Sequence, residues 1–85
     1  MKSFSYVIKD EIGLHARPAG MLVNEAKKYT SKITIGLNGK SVDARKLMGV
    51  MSLGVKNGDK ITVEVEGDDE VTAAENVEKF LQANV

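Results

Sequence analysis

The chain of 85 residues has no cysteine and no tryptophan, a single proline, a single histidine, and only two tyrosines and two phenylalanines. Without cysteine there is no disulfide framework, no thiolate metal site and no thiol nucleophile. Charge of one sign is also missing. Twelve Lys and Arg balance twelve Asp and Glu, so no global field draws the chain to nucleic acid or to an anionic membrane. The first ten residues, MKSFSYVIKD, hold no apolar run suited to a secretion signal, and no segment approaches the length of a membrane span. The expectation is a cytoplasmic protein that is not inserted in a membrane. Low-complexity stretches, linkers and internal repeats are absent. Residues 1–85 therefore read as one domain, large enough for one modest core.

Within that frame the hydrophobic pattern changes period several times. In FSYVI, Phe4, Tyr6 and Ile8 alternate along a strand. From Ala16 to Lys28 the period becomes helical. Ala19, Leu22, Val23 and Ala26 fall on one side, and Arg17, Gly20, Met21, Asn24, Lys27 and Lys28 on the other. KITIGLNGKSVDA reads as a hairpin, with Ile33, Ile35 and Leu37 inward, Asn38-Gly39 at the turn and Val42 on the return strand. KLMGVMSLGV is a short apolar helix despite the cost of Gly49. ITVEVEG follows as a strand with Ile61, Val63 and Val65 inward. The last segment is a helix capped by Asp68 or Asp69, with an apolar stripe of Val71, Ala74, Val77 and Leu81. The order β-α-β-β-α-β-α, with strands polar on one face, predicts an α+β fold. It is a two-layer open-faced sandwich, in which three helices cover one face of a four-stranded, mainly antiparallel sheet.

The chemistry concentrates in IGLHARPA, residues 12–19, where the only histidine and the only proline flank an arginine. If a helix begins just after His15, Pro18 sits in its first turn and forfeits no intrahelical bond. The amides of Ala16 and Arg17 are then free, at the positive end of the helix dipole. That is an anion site with His15 at its mouth. The same field favours the neutral, nucleophilic imidazole. Arg17 adds planar donors matched to phosphate oxygens. A neutral imidazole beside an oxyanion-binding helix terminus describes a phosphoryl acceptor. The competing reading is a capping or surface histidine without chemistry. A metal site is disfavoured, because no second histidine or cysteine exists and Asp10 and Glu11 alone make a poor one. A serine hydrolase lacks any nucleophile-elbow pattern.

The second helix presents a choice. At 100° per residue, Val50 and Leu53 point one way, while Leu47, Met48 and Met51 form a separate stripe. A small sheet can bury one of them. The other is then a docking surface, to which methionine's adaptable contacts are suited, and Met21 could extend it towards His15. Periodicity does not say which stripe faces inward.

Two segments at this distance, GLHARPA and MGVMSLGV, resemble the HPr family of histidine-containing phosphocarriers in the bacterial phosphoenolpyruvate:sugar phosphotransferase system. The second segment is in the Gram-positive style, and the resemblance spans essentially the whole chain. It implies a carrier and not an enzyme, with no cofactor and no metal. His15 would be phosphorylated on Nδ1 by phosphorylated enzyme I and would pass the group to sugar-specific enzyme IIA components. Arg17 would steady the phosphoryl group beside the Ala16 and Arg17 amides. Gly20, Met21, Leu47, Met48, Met51 and Ser52 fall where the family docks its partners, which turns Leu47, Met48 and Met51 outward. The expected state is a monomer. One departure stands out: Lys46 occupies the position at which Gram-positive relatives usually carry a regulatory serine. Branches devoted to nitrogen control or dihydroxyacetone share the histidine motif. Two other classes are weaker: a regulatory relative would be expected to lose the histidine, and an RNA-binding α+β module would need base-stacking aromatics on its strands.

Overall fold

The computed structural model describes all residues, 1–85. The elements run β1 (Lys2–Val7), α1 (Ala16–Ala26), β2 (Lys32–Leu37), β3 (Lys40–Asp43), α2 (Leu47–Ser52), β4 (Lys60–Glu66) and α3 (Glu70–Asn84). The sheet order is β1-β4-β2-β3. All three pairings are antiparallel, so β4 is inserted between β1 and β2. The expected open-faced α+β sandwich is what forms.

Strand alternation places the core. Tyr6, Ile8, Ile33, Ile35, Leu37, Ile61, Val63 and Val65 are buried on the helix side of the sheet, while Thr62, Glu64 and Glu66 of β4 face solvent. Helix α1 buries Ala19, Leu22, Val23 and Ala26, as its period predicts, and Pro18 with them. Asn38 adopts φ 51° and Gly39 φ 85°, the left-handed pair that a two-residue hairpin turn between β2 and β3 requires.

Helix α3 departs from expectation in two places. Val77 and Leu81 are fully buried, but Val71 is 51% exposed and Ala73 is buried instead. The helical angle explains this. Ala73 lies about 40° from Val77 around the axis, whereas Val71 lies about 120° away. The second departure is the cap. Asp69 occupies the N-cap position of α3 but makes no capping bond to its own helix. Its carboxylate instead accepts hydrogen bonds from the amides of Thr30 and Ser31, both at 3.0 Å, and from the Ser31 hydroxyl. It therefore ties the start of α3 to the turn entering β2, where Ser31 is wholly buried.

These three donors favour the carboxylate, and they hold Asp69 below its ordinary value, with the Ser31 hydroxyl as the largest cause. A depressed carboxylate contributes stability above its unfolded-state value and loses it as the pH falls through the folded one. The expected outcome is a loss of stability that begins below about pH 4. Asp69→Asn should start less stable at neutral pH and show a flatter acid limb. Denaturant melts from pH 7 to pH 2 check this, and parallel curves for the two proteins would refute the latch.

Candidate functional site

The loop between β1 and α1 carries the histidine, and it is held from three sides. Leu14 donates its amide to Val55 at 3.1 Å, and the amides of Lys9 and Asp10 both reach the carbonyl of Val85, at 2.7 and 2.8 Å. The Asn57 side-chain amide donates to the carbonyls of Lys9 and Asp10. Asp10 folds back to accept the Ile12 amide at 2.8 Å. Gly13, at φ 87°, lies so close to the next loop that a Cβ would stand 2.5 Å from the Val55 carbonyl oxygen.

From this anchored loop the chain enters α1. His15 is the N-cap, in extended conformation, and its side chain makes no capping bond. The first intrahelical bond runs from the Ala19 amide to the His15 carbonyl at 2.9 Å. The amides of Ala16 and Arg17 have no acceptor within the chain, and Pro18 has no amide to leave unpaired. His15 is half-buried, and Ala16 and Arg17 are exposed. The guanidinium of Arg17 forms no ion pair. The imidazole is thus free of any cap role, beside two unspent amides, the positive end of an 11-residue helix and an unpaired cation.

His15, Arg17, Pro18 and Met21 share an open depression of about 330 Å³ with Asp10 and Asn84. Asp10 was visible in the sequence only as a poor metal ligand, and Asn84 carried no signal at all. The end of α3 reaches this place through the Val85 bonds to Lys9 and Asp10. No group of three or more potential metal-ligating side chains occurs anywhere in the chain.

The structure settles which stripe of α2 faces inward. Val50 is buried and Leu53 is half-buried. Met48 is 79% exposed, and Leu47, Met51 and Met21 are each about 40% exposed. Helix α1 packs against α2, so Met21 and the α2 stripe belong to neighbouring helices. Gly20 is half-buried with open space where a Cβ would stand. Ser52 is exposed but spends its hydroxyl on the carbonyl of Gly49 at 2.6 Å. Ile12, which sequence reasoning passed over, is 69% exposed three residues before His15. Lys46 is the exposed N-cap of α2 and makes no capping bond.

With this geometry the comparisons agree. Residues 2–83 match the family described as the PTS HPr component phosphorylation site. The chain belongs to the PTS HPr family. It is 40% identical over 81 residues to the phosphocarrier protein HPr of Mycoplasma capricolum, covering 95% of this chain and 91% of that one. A crystal structure of HPr from Thermoanaerobacter tengcongensis superposes with a TM-score of 0.94 at 39% identity, covering 99% of this chain and 94% of that one. A dimeric HPr structure from the same organism gives a TM-score of 0.78 at 40% identity, with 98% and 95% covered. An HPr protein is a phosphocarrier of sugar transport, not a catalyst of net turnover, and its phosphoryl group travels on histidine. This chain has one histidine. No helix is long and apolar enough to cross a membrane.

Gly13→Ala tests the anchoring of the loop. A left-handed backbone together with a Cβ driven into a carbonyl should cost about 2 kcal/mol or more. Thermal melting should fall by several degrees, and amide shifts should spread through residues 12–16. A variant melting within a degree of the parent would show that the close approach is dispensable.

Proposed function

We propose that His15 accepts a phosphoryl group from phosphorylated enzyme I and hands it to sugar-specific enzyme IIA components in the cytoplasm. The observation that carries this reading is the pairing of an uncapped, half-buried His15 with the unspent amides of Ala16 and Arg17. In the step, the bare Nδ1 of the neutral ring attacks phosphorus. The bond from phosphorus to the donor breaks, and its electron pair leaves with the donor. The ring proton stays on Nε2. Delivery to the next partner is the same displacement with His15 as the leaving group. Charge spread over the three equatorial oxygens in transit is met by the two amides and the Arg17 guanidinium. All of these groups come from one copy of the chain, which fits action as a monomer.

Docking is assigned to the apolar surface around the site: Met21 and Gly20 on α1, and Leu47, Met48, Met51 and Ser52 on α2. Ile12, exposed in the loop that precedes His15, is assigned to the same surface. Methionine-rich apolar contact suits a carrier that must fit several partners in turn. Lys46 has no hydroxyl, so the phosphoserine of Gram-positive relatives has no place at the start of α2. This chain is read as a carrier without that control. Its neutral balance and its four aromatics give nucleic acid no purchase.

His15→Ala should abolish phosphoryl acceptance while changing stability by less than about 1 kcal/mol, since no capping bond is lost. Arg17→Ala should keep acceptance but slow transfer roughly 10- to 100-fold, because the amides remain. Incubation with phosphoenolpyruvate and enzyme I, read as acid-labile phosphate, checks both. Labelling of His15→Ala would end the assignment.

Met48→Asp places a charge at the most exposed apolar position of the stripe. Affinity for enzyme I and enzyme IIA should both fall at least about tenfold. Stability should stay within about 0.5 kcal/mol. Calorimetry and thermal melts separate the two effects, and a large melting drop with intact affinity would make Met48 a core residue.

A further inference from the structure

The β1 edge of the sheet is left unused by everything above. β1 pairs only with β4, and the Ile8 amide donates to Asp59 in continuation of the Lys2↔Val65 to Val7↔Lys60 register. In an antiparallel ladder, residues of one parity turn their amide and carbonyl to the partner, and alternate residues turn theirs away. Ser3, Ser5 and Val7 therefore present backbone donors and acceptors to solvent. Proteins usually blunt such an edge with proline, a bulge or an inward charge. The register from Lys2 to Val7 is unbroken, and this strand has no proline.

Beside that edge, on the helix side, lies a groove of about 240 Å³ between β1 and the first turns of α3. Phe4, Val71 and Ala74 supply its apolar lining, and Lys2, Ser3, Glu75 and Glu78 its polar lining. Val71 is the residue that its angular position on α3 turns out of the core. Neither glutamate has an ion-pair or hydrogen-bond partner, although Glu78 is half-buried. Glu70, at the start of α3, is by contrast bound to the amino group of Met1 at 2.9 Å.

We propose that this edge and groove form a docking site for an extended peptide segment carrying aliphatic and cationic side chains at alternate inward positions. The segment adds as a fifth strand, bonding the free groups of Ser3 and Ser5. Side chains two residues apart, about 7 Å along the strand, both enter the groove. One covers Phe4 and Val71, and the next brings a lysine or arginine to Glu75 and Glu78. Val71 and Asn84 are about 20 Å apart along α3, and Asn84 borders the His15 depression. The groove and the phosphoryl site can therefore be filled together, and the proposal does not depend on which partners His15 serves.

The test titrates the labelled full chain with the acetylated, amidated peptide TVTKTVT, followed by amide NMR. Shifts should centre on Ser3, Phe4, Ser5, Val71, Glu75 and Glu78, with slowed exchange at Ser3 and Ser5, and the control TVTETVT should give none. Glu75→Gln combined with Glu78→Gln should weaken binding about fivefold or more and flatten its salt dependence. Acceptance of phosphate on His15 should be unchanged in that variant. Equal binding of the control, shifts centred on Met48, or no shifts at millimolar peptide would overturn the proposal. Line broadening of these residues with protein concentration alone would assign the edge to a second copy and overturn it equally.

Discussion

The site depends on one close backbone approach. Gly13 lies against Val55 and Lys56 at a distance that admits no Cβ, and its φ of 87° turns the chain there. Leu14 is then buried and bonded to Val55. The next residue is His15, which must be extended because α1 begins immediately after it. Asp10, Asn57 and the end of α3 hold the same loop from other directions. The imidazole is thereby aimed by its surroundings, without spending either ring nitrogen on a structural bond. In the proposed transfer, such preorganisation costs nothing at the moment of reaction.

A second constraint is the shortness of α2. Six residues offer fewer than two turns, and only Val50 among them is buried. A sheet of four strands already covered by α1 and α3 has little area left for it. The remaining apolar residues, Leu47, Met48 and Met51, stay outside by geometry. Exposed apolar side chains of this kind carry a modest stability cost, yet they supply most of the contact energy available to a transient partner. On the proposed reading, a partner seated on this surface lies against the neighbour of the helix that begins at His15. An open depression around His15, in place of a closed cavity, suits a group that must be received from one protein and surrendered to another.

Legibility in the sequence followed the range of the physical signal. Alternation at Ile33, Ile35 and Leu37 or Ile61, Val63 and Val65 is a property of neighbouring residues, and each strand could be read alone. The same holds for α1, whose inward face was set by its period, and for His15 to Pro18, where proline and helix start share a single turn. In α3 the local signal was misleading. Val71 is as apolar as Val77, but only the register of the whole helix against the sheet places Ala73 inward and Val71 out. The α2 stripes were equivalent as pattern, and their choice required knowing how much sheet remained uncovered.

By itself, the sequence determined the element order, the two-faced strands, the antiparallel hairpin and the presence of a single imidazole at a helix start. Tertiary structure alone decided that Asp69 serves a turn 38 residues earlier instead of its own helix. It also decided that Asn84 borders the histidine and that Ile12 is exposed. Periodicity and capping report interactions within one strand or one helical turn, where chain connectivity fixes the distance between groups. Contacts between distant segments are chosen by how whole elements pack, and no local pattern records that choice.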